Sequence, residues 1–284
     1  MAGESRAETL AMLRRQARII RQRVMTTLLA AGGGHVGGSL SPVDVLTALY
    51  FHTLRIDPEN PDWPDRDRFV LSKGHASAAL CPVLAEMGFF PRELLDTFNH
   101  LDSRFSMHPD MLKIPGVDIS AGSLGHGLSV GLGMALAARL KRKSYRTFVL
   151  MGDGELGEGS VWEAAMAASH FNVDTLLAIV DRNHLQIDES TRNVMELEPL
   201  DDKWRAFGWA VREIDGHDME AVVEAISAFP FEPSTPSVII ARTVKGKGVP
   251  FAENRLDFHY HDVDQAMANE AVAILERAES NEGG

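Results

Sequence analysis

One cysteine in 284 residues, Cys81, rules out a disulfide within this sequence. It lies in the apolar run Ala78 to Leu84, so a buried small residue in a reducing compartment is expected rather than a reactive thiol. Long hydrophobic runs are missing too. None reaches the roughly 18–20 residues that cross a bilayer, and Met1 to Leu10 lacks the apolar stretch of a secretion signal, so a cytoplasmic location is expected. Basic runs are absent, and a net charge of −12 disfavours nucleic acid, whose phosphates demand a basic face. There is no His-x-x-x-His on a helix and no cysteine pair for zinc. The Gly-x-x-x-x-Gly-Lys-Ser/Thr loop of a nucleotide hydrolase does not occur either.

What remains is an ordinary globular composition, 45% hydrophobic and 24% charged, in a chain long enough for a large α/β core. Leu10, Leu13, Ala17, Ile20, Val24 and Leu28 recur at helical steps up to Gly32-Gly33-Gly34, with Arg14, Arg15, Arg18 and Arg21 expected on solvated faces. A second helix is expected from Ser41-Pro42 to about His52, with Ser41 as its cap. After a Pro- and Asp-rich loop at 57–67, strands are predicted at 68–72, 147–151, 176–181, 209–213 and 237–242. Helices are predicted from near His75 and at 158–170, 218–229 and 263–279, with a fraying end at 280–284. Alternating strands and helices imply an α/β fold with a mostly parallel sheet of about five or six strands flanked by helices. No repeat, linker or low-complexity segment divides the chain, so a single domain over 1–284 is expected.

The most informative stretch is Gly152-Asp153-Gly154-Glu155, placed where an apolar strand ends and a helix follows. Ligand crevices in parallel sheets lie beyond the carboxyl ends of the strands, where the next helix offers unpaired N–H groups to a phosphate. The next strand ends at Asp181-Arg182-Asn183, about one βαβ crossover later. If the two strands are neighbours, Asp153 and Asn183 are placed to hold one hard cation, with diphosphate oxygens in its remaining positions. Several of the eleven histidines stand beside glycines, among them His35, His75 and His126. Lys73, Lys245 and Lys247 are read as solvated lysines, although each carries a charge that suits a phosphate.

These motifs resemble those of the transketolase family, in which Gly-Asp-Gly is followed by Asn at the end of the next strand. Further matches span most of the chain: Gly34-His35, Ser72-Lys73-Gly74-His75, His108-Pro109, Gly122-Ser123-Leu124-Gly125-His126-Gly127 and Leu185-Gln186-Ile187-Asp188. The resemblance is strongest to the amino-terminal, diphosphate-binding chain of transketolases made as two polypeptides. It implies thiamin diphosphate as cofactor, held through Mg²⁺ or Ca²⁺ by Asp153, Asn183 and the main-chain carbonyl of Leu185. It further implies cofactor contacts from His75, Gly122, Ser123, Leu124, Gly152, Gly154 and Glu155. His35, His75, His108 and His259 are implied to line the substrate channel. Glu158, with Glu163 nearby, is implied at an interface between two cofactors. Met107, His126 and Glu189 depart from the family pattern, which usually has Gly, Gln and Gly there.

The implied activity is transfer of a two-carbon ketol unit from a ketose to an aldose, both as sugars or sugar phosphates. Within the same cofactor class, 1-deoxyxylulose-5-phosphate or dihydroxyacetone synthesis remains an alternative. A non-catalytic cofactor-binding subunit is another. The family's pyrimidine-binding domain is not found in this sequence, so it is expected on a partner, the C-terminal transketolase subunit, in a heterotetramer with two copies of each chain.

Overall fold

The computed structural model describes residues 5–187 and 189–282. Helix α1 (Arg6–Ala30) opens with a capping box, in which Ser5 and Glu8 each accept the other's backbone N–H. The six apolar residues that predicted it are all buried. Arg21 breaks the expectation for its arginines: it is only 6% exposed and forms a bidentate ion pair with Asp44. A short helix, α2 (Val36–Leu40), comes first, and the helix expected from Ser41-Pro42 to about His52 then forms as α3 (Val43–Ala48), which runs on as a π-helical turn through Leu49–Thr53. Ser41 does not cap the start of α3; its hydroxyl donates to Asp181, 140 residues away, at 2.6 Å.

Strand β1 (Arg68–Leu71) leads to α4 (Ser77–Met87), and a long irregular stretch precedes α5 (His126–Leu140). From there the chain alternates: β2 (Thr147–Gly152), α6 (Gly159–His170), β3 (Leu176–Arg182), α7 (Thr191–Val194) and α8 (Leu200–Ala206). It continues through β4 (Ala210–Asp215), α9 (Met219–Ser227), β5 (Ser237–Arg242) and α10 (Gln265–Glu282). The last helix outruns the predicted end near 279, while Gly283 and Gly284 of the predicted fraying end lie outside the described residues. The five strands form one parallel sheet in the order β1-β2-β3-β5-β4.

Both faces of that sheet are covered, which is why its central strands read as nearly unbroken apolar runs. Phe148 and Leu150 of β2 pack with α1, α3, α4 and α9, whereas Val149 and Met151 face α5, α6 and α8. Cys81 is fully buried in the first of these layers, and burial pushes its thiol up to about 12. Among the described residues no helix is long and apolar enough to cross a membrane. Two short ribbons matter for the site. Gly33–Gly34 pairs with His261–Asp262, bringing the start and the end of the chain together, and Leu185–Gln186 pairs with Glu189–Ser190 as a hairpin after β3.

Helix α5 supplies a paired test of the packing. A Cβ on Gly127 would overlap the Ser72 side chain and lie 2.8 Å from its Cα, whereas one on Gly133 meets nothing within 4 Å. Urea unfolding should therefore show Gly127→Ala losing about 1–3 kcal/mol. Gly133→Ala should gain up to about 1 kcal/mol from helix propensity. Equal effects at the two positions would contradict the packing described.

Candidate functional site

The carboxyl ends of β1, β2, β3 and β5 open into one cavity of about 230 Å³. Gly152 of β2 is in register with Asp181 of β3, so the expectation that Asp153 and Asn183 leave adjacent strands holds. Both line the cavity, as do Leu185, Gly152, Gly154, Glu155, Gly122 and Leu124.

Asp153 is 2% exposed. Its Oδ2 accepts the His184 N–H at 2.6 Å and Arg182 Nη1 at 3.1 Å, while Oδ1 accepts the Gly154 N–H at 2.8 Å. Burial raises its pKa and nearby Asp181 adds to that, against the opposing pull of Arg182. Asn183 Oδ1 accepts the Leu185 N–H at 3.1 Å. Arg182 is in turn held by Thr191 at 2.7 Å and Glu198 at 2.8 Å, which ties the hairpin segment back to the strand. Glu155 points inward: its carboxylate accepts from the Ser72 hydroxyl and from the Gly125 and Gly152 N–H groups at 2.8 and 3.0 Å. It therefore braces the loop before α5 against β2.

Two lysines read from the sequence as solvated are buried in the cavity wall, each 2% exposed. Lys73 places its ammonium 2.5 Å from Asp181 Oδ2. Asp181 also accepts from the hydroxyls of Ser41 and Thr243 and, at 3.4 Å, from Asn183 Nδ2. Burial alone would raise the Asp181 pKa, but Lys73 and these hydrogen bonds hold it below the usual carboxylate range. Lys245 Nζ lies 2.9 Å from His259 Nδ1, and burial together with the Lys73 charge lowers its pKa to about 8. Lys247 is half-buried.

His35, His75 and His259 form a cluster with ring centroids 5.1 to 5.7 Å apart, and His108 stands 6.3 Å from His35 at the exposed mouth. Burial, His108 and the two lysines push His35 down to about 4. Burial and Lys245 do the same for His259, also to about 4, and His75 falls well below its ordinary value, chiefly through burial. The rings are thus neutral near pH 7, each with one donor and one acceptor nitrogen. His35 Nδ1 is buried with no protein partner, an atom that calls for a polar ligand.

Not every sequence candidate joins the cavity. Ser123 and Glu158 are exposed and absent from its lining, and Glu163 lies on the outer face of α6. Of the departures, Met107 is half-buried against Gly34, while His126 and Glu189 are exposed. Asp188 lies outside the described residues. Sequence reasoning missed Asp181 and misread Lys73 and Lys245. The available signal was that each stands at or just past the carboxyl end of a buried strand.

Among the described residues no group of three His, Cys, Asp or Glu side chains is placed to hold a metal. A cation here would rely on one carboxylate, one amide oxygen and a main-chain carbonyl, a hard oxygen set that leaves positions for phosphate and water.

The family model for the thiamine diphosphate binding domain of transketolase matches residues 13–276. The chain is 46% identical to the 6-deoxy-6-sulfo-D-fructose transketolase subunit of a Clostridium species, over 93% of this chain and 96% of that one. It is 45% identical to one subunit of the apulose-4-phosphate transketolase of Phocaeicola vulgatus, over 92% and 93% of the two chains. The crystal structure of Pichia stipitis transketolase with sedoheptulose-7-phosphate superposes with a TM-score of 0.86 at 28% identity, covering 96% of this chain but 45% of that one.

The lowered histidine pKa values have a signed consequence. In the unfolded chain His35 and His259 take up protons near pH 6.5, in the folded chain only near 4, so unfolding binds protons in that window and stability falls as pH drops through it. His35→Asn removes one such group. Urea midpoints between pH 7 and pH 4 should fall more steeply for the wild-type chain than for this variant; parallel curves would refute the assignment.

Proposed function

This chain belongs to the transketolase family, and from that membership we propose that it is the diphosphate-binding subunit of a transketolase assembled from two polypeptides. Its reaction is transfer of a two-carbon ketol unit from a ketose to an aldose, each a sugar or sugar phosphate. The observation that carries the reading is the convergence of Asp153, Asn183, two buried lysines and a neutral histidine cluster on one cavity at the strand ends.

Asp153, Asn183 and the Leu185 carbonyl would hold Mg²⁺ or Ca²⁺, a hard oxygen set suited to either ion. Burial raises the Asp153 pKa, and a dication held there would favour the carboxylate form. Lys245 and Lys73 give the anion cationic neighbours, and His75 adds a hydrogen bond. When bound, thiamin diphosphate supplies the electron sink for breaking and making the carbon–carbon bond. The remaining work falls to the protein. Because Lys245 donates to Nδ1 of His259, the Nε2 of that ring carries its proton and serves as a donor. His35, with an unpartnered Nδ1, and His108 at the mouth hold substrate hydroxyls and pass protons.

The partner carries the pyrimidine-binding domain. Support comes from two similar proteins named as transketolase subunits and from the chain spanning less than half of the solved transketolase. Ile187, Val194 and Met195 are about half exposed or more on and beside the hairpin that borders the cavity, a surface suited to burial by another subunit. Glu158 is exposed where two copies would meet in a heterotetramer. A cytoplasmic setting accords with a single buried thiol.

Three measurements test this reading. Asp153→Ala should weaken metal-dependent thiamin diphosphate binding about a hundredfold or more in calorimetry, with the chain still folded by circular dichroism although loss of the buried Arg182 pair lowers its melting temperature. Unaltered affinity would remove Asp153 from the metal site. In the complete complex, His35→Ala and His75→Ala should each cut turnover about a hundredfold while costing little stability; a large stability loss with normal turnover would make them structural. The purified chain with cofactor and Mg²⁺ should show no ketol transfer until the pyrimidine-domain partner is added, and full activity from the verified single chain would refute the two-polypeptide assembly.

A further inference from the structure

Lys245 sits in the irregular segment that follows β5, yet its ammonium is fixed on His259. The backbone on either side of it is gripped from below. The Val244 N–H donates to His217 Nε2 at 2.8 Å, and Arg21 Nε donates to the Lys247 carbonyl at 3.1 Å. Both grips end on one carboxylate. Arg21 donates through Nη1 and Nη2 to Asp44 at 3.0 and 2.5 Å, and His217 Nδ1 lies 2.7 Å from Asp44 Oδ2. With Nε2 accepting from Val244, the ring proton is on Nδ1 and points at Asp44, so every polar atom of the imidazole is used. Burial alone would raise the Asp44 pKa, but Arg21 and the hydrogen bonds bring it down to about 2. Gly37 completes the seat, since a Cβ there would lie 2.8 Å from Lys245 Cγ.

We propose that Arg21, Asp44 and His217 are positioning residues, a buried clamp that holds segment 244–247 and thereby aims Lys245 at His259 and into the cavity. None of the three lines the cavity. The segment has anchors independent of the clamp: Asn254 N–H donates to the Lys245 carbonyl at 2.9 Å and Gly248 N–H to Glu253 at 2.9 Å. Loss of His217 therefore shifts the segment without unfolding it. The functional weight of the clamp rests on the reading of the cavity as the diphosphate and substrate site.

The test uses the full chain labelled with ¹⁵N-histidine, with His259 assigned from His259→Asn and Lys245→Met as the reference for a ring without its lysine. In the wild-type chain His259 Nδ1 should resonate as a hydrogen-bonded acceptor nitrogen and Nε2 as a protonated one. His217→Leu should move the His259 signals toward those of Lys245→Met and weaken thiamin diphosphate binding with Mg²⁺ about tenfold. His217→Gln retains one donor and one acceptor and should recover most of both. A folded His217→Leu chain with unchanged His259 signals and affinity overturns the clamp. Should that variant fail to fold, Arg21→Lys, which keeps the charge beside Asp44 but loses the bond to Lys247, decides by the same two readouts. Absence of thiamin diphosphate binding by the wild-type chain would sink the functional reading alone, because the ¹⁵N spectra report the clamp without cofactor.

Discussion

The ion pair between Lys73 and Asp181 is the contact on which the site depends. Both groups are 2% exposed or less, so each has lost its hydration and is tolerable only while the other stays in place. Removing one partner of such a pair leaves a buried charge at a cost of roughly 3–5 kcal/mol. Its geometry is further set by Ser41 before α3, Thr243 after β5 and Asn183 after β3, all bonded to Asp181. One carboxylate thus fixes the exits of β1, β3 and β5 relative to each other. The amide of Asn183 takes its orientation from it, since Nδ2 is drawn toward Asp181 and Oδ1 is left on the opposite side.

The histidines take their character from this arrangement. Three rings packed beside two lysines would repel one another if charged, and their burial removes the water that would screen the repulsion. The outcome is a set of neutral imidazoles whose hydrogen bonds are directional. Lys245 fixes one tautomer through His259 Nδ1, and the ribbon between Gly33–Gly34 and His261–Asp262 holds His35 beside that ring. Residues more than 200 positions apart become one surface through a two-residue pairing and a single lysine.

Periodicity and spacing reveal contacts made within an element or between successive strands, and little else. Strand β5 runs from Ser237 to Arg242 as expected because both of its faces are buried and its run is unbroken, and the Asp153–Asn183 pairing follows from one crossover length. The edge strand β4, partly solvated, lies one to two residues from its predicted bounds. The misread residues share a different cause. Arg21, Ser41, Lys73 and Lys245 are polar groups buried by partners 23, 140, 108 and 14 residues away, and no local pattern encodes such a partner. Arg21 stands on the apolar stripe of its helix, four residues after Ala17 and three before Val24, so spacing could have shown its burial but not its partner Asp44. Glu155 shows a related limit: its place after the strand was legible, but its inward turn toward Ser72 and Gly125 depends on the loop before α5, which has no regular pattern.

A chain of net charge −12 is an unexpected host for a diphosphate. Exposed charges beyond roughly 8–10 Å are screened by salt, so the cavity responds to its own lining instead. In and behind that lining the charges nearly cancel: Lys73 is matched by Asp181 and Arg182 by Asp153 and Glu198, while Glu155 is held by neutral donors and Lys245 has a neutral histidine as its partner. Such a lining has little to offer a bare diphosphate, which would need several unmatched cations in a dry crevice. It would suit a diphosphate that arrives with a divalent cation, because the pair is nearly neutral and, in the function proposed, the cation would find its oxygens at Asp153 and Asn183. Affinity for the anion and affinity for the metal should then be inseparable, each low without the other, a coupling built into the pairing of the cavity's charges.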